Sequence, residues 1–194
     1  MRRHYHLNSA RHTRSVGGLP DIGLLDGTVA PGILRAMHAA SKQLMSVHVR
    51  HALVGGLAIG AHGYPRATKD VDFLVGDEAF EHHAAGIVTI AAGVPVAVGD
   101  VAIDQLSIHN DEGHLTDALN HVQFSGDIPV LPIGALVYLK LRSPRGKDAV
   151  DVVELIRRGI STDEVGRYLE ANAPELFLSF ERLVAVAKEE EQDD

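Results

Sequence analysis

Two aspartates, Asp70 and Asp72, stand one residue apart in KDVDFLV, among the apolar residues Val71, Phe73, Leu74 and Val75. Side chains alternate along a β-strand with a period of two, so on a strand both carboxylates project from one face and can share a site. Aspartate is depleted from buried strands, and two of them here break the local rule without structural benefit. Their hard oxygens are the ligands that Mg²⁺ selects over nitrogen or sulfur donors. Two such ions about 4 Å apart can clamp the attacking and leaving oxygens of an in-line phosphoryl transfer. A third carboxylate completes a site of that kind. Asp104 is the best placed, because it interrupts the strand pattern VAIDQLSI, whereas Asp100 suits the Gly99-Asp100 turn before it.

The diglycine Gly55-Gly56 closes the apolar stretch LVGG. With no Cβ, its backbone N–H groups can come close to a triphosphate at the start of a following helix. Arg66, Thr68 and Lys69 precede the acid pair and offer contacts to phosphate oxygens, or equally a solvated loop. For Asp70 and Asp72 the structural alternative is a loop cap or ion pairs with Lys69 and Arg66. Further on, Lys140 sits in GALVYLKL, a buried helical pattern in which a charge needs a partner, either a phosphate or an aspartate. Ala149, Val152, Val153 and Ile156 then form an apolar helical face, with Lys147 and Asp151 spaced to pair on another.

The elements that must position these residues can be read from periodicity and punctuation. Pro31 suits a first helical position, and the spacing predicts a helix over 31–47. Strands follow over 52–54 and 71–75, with a short helix over 57–62 between them. Asp77 caps a predicted helix reaching residue 92. Strands over 94–98 and 101–108, and over 122–124 and 128–131, make two hairpins. Helical patterns over 132–141, 144–157, 162–172 and 174–188 complete the chain. The fold class is therefore mixed α/β in front and all helical behind. This gives an irregular arm over residues 1–30, an α/β core over 31–131, a helical portion over 132–188 and an acidic tail over 189–194.

The net charge of −8 is unevenly spread. Residues 1–14 hold four arginines and no acid, and residues 188–194 hold one lysine and five acids, which leaves −8 on the body between them. A body this acidic is a poor general binder of nucleic acid, whose affinity comes from Lys and Arg on phosphates, so RNA would need a local basic groove or the arginine arm. Aromatic residues make up only 5% of the chain and offer little surface for base stacking. The absence of cysteine excludes disulfides and thiolate metal sites. The apolar runs are too short to span a bilayer, and Arg2 and Arg3 lead into His4, Tyr5 and His6 rather than the apolar block of a signal peptide, so the expectation is a cytoplasmic protein without membrane contact. Twelve histidines invite a zinc reading, but His82-His83 and His109 with His114 lack ligand spacing, and His4, His6 and His12 read as tail. Neither a Gly-x-Ser-x-Gly turn nor a Walker A sequence is present.

With these residues in view, GGLAIGAHGYPRATKDVDF resembles the signature of the DNA polymerase beta-like nucleotidyltransferase superfamily. It is most similar to the bacterial abortive-infection and toxin-type branch, in which R-x-T-x-D-x-D is usual and a lysine helix precedes an R-x-K-D segment. That second block here reads LPIGALVYLKLRSPRGKDAVDVVELIRRG, and the resemblance spans about residues 50 to 160. It implies a small mixed, twisted sheet with flanking helices and a C-terminal helical portion. It also implies a catalytic, metal-holding set of Asp70, Asp72 and Asp104, and nucleotide contacts from Gly55, Gly56, Arg66, Thr68, Lys69, Lys140, Lys147 and Asp148. The matching activity moves a nucleoside monophosphate from an NTP to an acceptor hydroxyl with Mg²⁺ or Mn²⁺. The implied acceptor is the 3′ end of a tRNA, with a cognate antitoxin as partner. Two alternatives are an adenylyltransferase acting on a small molecule of the aminoglycoside type, and an inactive nucleotide-binding module of the same fold.

Overall fold

Pro31 opens α1 (Pro31–Ser46), and Ile33, Met37, Ala40 and Leu44 recur along the face that it buries. This computed structural model describes residues 18–143 and 145–190, so the four arginines of residues 1–14 and the end of the acidic tail lie outside the described residues. The stretch before α1 contributes Leu25 and Val29 to the core through a short 3₁₀ turn, Ile22–Leu25.

The chain next enters β1 (His51–Leu53), α2 (Gly55–Ala61) and β2 (Val71–Val75). It continues through β3 (Phe80–His82), β4 (Val88–Ile90), β5 (Ala97–Val98), β6 (Val101–Leu106), α3 (Gly113–Asn120), β7 (Gln123–Ser125) and β8 (Ile128–Val130). Four helices follow: α4 (Ile133–Arg142), α5 (Gly146–Arg157), α6 (Thr162–Asn172) and α7 (Pro174–Glu190). Six strands form one mixed sheet in the order β5-β6-β2-β1-β8-β7, and β3 pairs with β4 alone. In the sheet β2 runs antiparallel to β1 and parallel to β6, and β8 runs parallel to β1. The inner strands β1 and β8 are buried along their whole length, β1 with His51 as its one polar residue. The α/β fold class expected from the sequence is the one observed.

Two elements differ from expectation. In place of a helix over 77–92 there is a 3₁₀ turn, Asp77–Ala79, and then the β3–β4 hairpin, whose connection carries a second one, Ala84–Gly86. Val88, Thr89 and Ile90 favour extended backbone, and the left-handed residues Ala85 and Gly86, with φ of 64° and 76°, make the reversal. The other is α3, which the sequence reading omitted although Leu115, Ala118 and Leu119 sit at helical spacing and are buried. Among the described residues no helix is long and apolar enough to cross a membrane.

A buried Ser–His contact also lies in this core, with Ser41 Oγ 2.8 Å from His51 Nε2. His51 Nδ1 lies 2.9 Å from the Val49 carbonyl, and Phe73 packs edge-on to the ring. Burial lowers the His51 pKa below its usual value, and both residues are sealed from solvent, so this is core structure.

Candidate active site

Parallel pairing of β2 with β6 aligns Asp72 with Asp104. Asp70 lies two residues ahead of Asp72 and so on its side of the pleat, while Val71 and Phe73 point into the core. Asp72 is half-buried, and Asp70 and Asp104 are exposed. None of the three forms a hydrogen bond or ion pair with another described side chain. The Asp72 pKa is raised, first by burial and then by the charges of Asp104 and Asp70, while Lys140 and Arg145 work in the opposite direction. The three acids therefore repel one another across a shared space.

The diglycine is the wall of that space. Gly55 opens α2 at φ 62°, and a Cβ placed on it would overlap the Asp72 carboxylate. A Cβ on Gly56 would stand 3.1 Å from the Thr68 hydroxyl and 3.5 Å from Arg66 Nη1. Neither glycine is a matter of helix propensity, because Gly55 keeps the backbone bare against Asp72 and Gly56 keeps it bare against Thr68 and Arg66. Alanine at Gly55 combines the left-handed penalty of about 1–2 kcal/mol with displacement of Asp72. Gly55→Ala should therefore lower stability by at least that amount in urea melts, whereas a wild-type melt would refute the contact.

Behind the acids runs a row of alternating charges. Arg66 donates from Nε and Nη2 to the two Asp151 oxygens at 2.7 and 2.8 Å. Lys140 Nζ donates to Asp151 at 2.8 Å and to Asp148 at 2.6 Å. Arg145 Nε closes the row on Asp148 at 2.9 Å. Asp148 is 0% exposed, Asp151 2% and Lys140 8%. The partners that Lys140 needed are thus aspartates. The expected Lys147–Asp151 pair does not form: Asp151 faces inward, and Lys147 is exposed with no ion pair among the described residues. The aspartates could have been placed from the sequence, since Asp148, Asp151, Val152 and Leu155 fall at positions i, i+3, i+4 and i+7 and all are buried on α5.

A cavity of about 180 Å³ gathers Gly55, Gly56, Arg66, Thr68, Asp70, Asp72, Asp104, Lys140, Lys147 and Asp148. Leu106, Leu136, Leu139 and Arg145 also line it. Lys69 is exposed and does not line it. Arg66, Lys140 and Asp148 are engaged with one another or with Asp151, which leaves Lys147 and the outer nitrogens of Arg145 as the cationic groups at its rim. Arg145 is the arginine of the R-x-K-D segment.

Every donor of the acid trio is a carboxylate oxygen, the ligand type suited to Mg²⁺ or Mn²⁺. Among the described residues no three acidic or histidine side chains stand close enough to hold an ion by themselves. Mg²⁺ commonly takes one or two carboxylates and completes its shell with water and substrate phosphate, so the donor set fits such an ion with Asp70 and Asp72 as holders and Asp104 alongside. Two of the histidines have other partners: His82 Nε2 lies 2.9 Å from Asp77, and His83 Nε2 lies 2.7 Å from the Thr89 hydroxyl. A larger cavity of about 600 Å³ between α6 and α7 is lined by Phe177, Phe180 and Val184 with scattered charges, and contains none of the candidate site residues.

No protein-family model matches the chain, and no curated protein matches it. Among solved structures the chain is similar to an antigenic nucleotidyltransferase-like protein from Paracoccidioides brasiliensis. The two share 13% identity with a TM-score of 0.43, over 79% of this chain and 94% of the other.

Proposed function

We propose that the protein is a divalent-metal-dependent nucleotidyltransferase that moves a nucleoside monophosphate from an NTP to an acceptor hydroxyl and releases pyrophosphate. The observation that carries this reading is the trio Asp70, Asp72 and Asp104, partnerless among the described residues and facing one cavity against bare glycine backbone. Phosphoryl transfer asks the protein chiefly for positioning and charge neutralisation. Asp70 and Asp72 would hold Mg²⁺ or Mn²⁺, which supplies positive charge to the phosphate oxygens. The backbone N–H groups of Gly55 and Gly56 and the Thr68 hydroxyl donate to the phosphates, and Lys147 and Arg145 meet their charge at the rim. Asp104 takes the proton of the acceptor hydroxyl as the new bond to the α-phosphorus forms and the α–β bridge breaks.

The finer reading is a cytoplasmic toxin-type enzyme whose acceptor is the 3′ end of a tRNA and whose partner is an antitoxin. A small-molecule hydroxyl is the competing acceptor. The test is transfer of label from each α-labelled NTP to tRNA and to aminoglycosides. Label should appear on one acceptor, disappear in EDTA and return with Mn²⁺. No labelled product on any acceptor, together with no metal-dependent NTP binding, would end the proposal.

A second reading, a nucleotide-binding module without transfer, is favoured by the engagement of Arg66 and Lys140 with Asp148 and Asp151 rather than with open cavity. Metal-dependent binding by calorimetry without any labelled product would select it.

A further inference from the structure

Asp151 does not line the cavity, yet it is the junction of three elements that do. Arg66 belongs to the connection from α2 to β2, Lys140 to α4 and Asp151 to α5. Both oxygens of the Asp151 carboxylate are used, one by Arg66 Nε and the other by Arg66 Nη2 and Lys140 Nζ. Among the described residues no backbone–backbone hydrogen bond outside regular elements involves residues 65–69. The course of this connection therefore depends on side chains, and the two-pronged grip of Asp151 on Arg66 is the strongest of them. Thr68 and Asp70 follow Arg66 by two and four residues and both line the cavity.

We infer that Asp151 is a positioning residue for the cavity: by holding Arg66 against Lys140 it fixes the connection and so sets where Thr68 and Asp70 stand. This rests on the reading of Asp70 as a metal-holding residue, but its mechanical part does not. A planar guanidinium gripped at two points defines direction as well as distance, which a lysine ammonium cannot do. Arg66→Lys keeps the charge and removes the fork, and Asp151→Asn keeps the shape and removes the charge.

The experiment measures amide hydrogen exchange across residues 63–70 and in α1, together with Mn²⁺ binding by electron paramagnetic resonance. Both variants should accelerate exchange in 63–70 while α1 keeps wild-type protection, and should weaken Mn²⁺ binding roughly ten- to a hundredfold, as changes behind a metal site generally do. Wild-type exchange in 63–70 in both variants, with only the melting temperature lowered, would overturn the inference and leave Asp151 a purely structural residue. Should Asp151→Asn fail to fold, Arg66→Lys carries the test alone. The exchange readout needs neither metal nor nucleotide. A wild-type protein that transfers nothing, with variants that still loosen 63–70, would remove the transferase reading and keep this one.

Discussion

Asp72→Asn should cut label transfer by roughly a hundred- to a thousandfold, the scale of losing one preorganised electrostatic group, and should leave the metal-free protein more stable than wild type. Asparagine keeps the shape of the side chain and loses the charge. In the folded protein the Asp72 pKa is raised by burial, then by Asp104 and Asp70. An acid whose folded pKa lies above its unfolded value destabilises the native state above that folded pKa and contributes nothing below the unfolded one. The stability gain should therefore be present at pH 7 in EDTA and absent at pH 3, below the ordinary value of 3.8. Asp70 and Asp104 are exposed, so their asparagine variants should lose transfer without a comparable gain. Urea melts at the two pH values and single-turnover transfer assays measure both halves. Wild-type turnover by Asp72→Asn would remove this residue from the chemistry.

The mismatch between two carboxylates and an apolar strand also explains why the acid pair is visible in the sequence. A residue that opposes local packing stands out against its neighbours, as Asp70 and Asp72 do among Val71, Phe73, Leu74 and Val75. Gly55 was legible for a related reason, although the particular contact with Asp72 was not. It depends on how α2 leaves β1, a tertiary matter that no spacing encodes. The pairing of Asp104 with Asp72 likewise needed a parallel register between strands whose own patterns only showed that they were strands.

What the sequence concealed was mostly partner choice. The spacing leaves Lys140 a phosphate or an aspartate and Arg66 a phosphate or solvent, and the structure, while lining the cavity with both and with Asp148, engages all three in ion pairs. Sequence spacing proposes i,i+4 partners such as Lys147 and Asp151, but burial of Asp151 selects partners from other elements. The misread segment over 77–92 failed differently. Its apolar residues Ile87, Val88 and Ile90 remain exposed on a two-stranded hairpin, so no buried face existed for a helical period to describe. The helices from α5 to α7 were legible because each buries an apolar stripe against another helix, and period 3.6 records that directly, whereas α4 is buried continuously from Ile133 to Tyr138 and reads as an apolar run after Pro132.

Lys140→Met should destabilise the protein by about 3–5 kcal/mol at pH 7, because removing one member of a buried ion-paired group strands the opposite charge. Methionine fills a similar volume, so the loss is electrostatic rather than a cavity. Burial works to raise the pKa of both Asp148 and Asp151, but hydrogen bonds outweigh it and hold both below the usual carboxylate range. For Asp148 these bonds come from Lys140 and Ser143, and for Asp151 from Arg66 and Lys140. An acid with a depressed folded pKa contributes stability that is complete above its unfolded value and is lost as pH falls through the folded one. The gap between wild type and Lys140→Met should therefore be constant from pH 7 to about 5 and shrink below about pH 4, where both proteins take up protons on the same two aspartates. Each aspartate retains an arginine in the variant, Arg66 on Asp151 and Arg145 on Asp148. Asp148 is the more dependent of the two on Lys140, since its arginine is 63% exposed while Arg66 is 27% exposed. The double variant Lys140→Met with Asp148→Asn should accordingly recover part of the loss, whereas Lys140→Met with Asp151→Asn should recover less, because that change releases Arg66. Urea melts of the four proteins at pH 7, 5 and 3 decide the matter. A single-variant loss below about 1 kcal/mol at pH 7, the size of an exposed pair, would mean that this row of charges is solvated rather than buried.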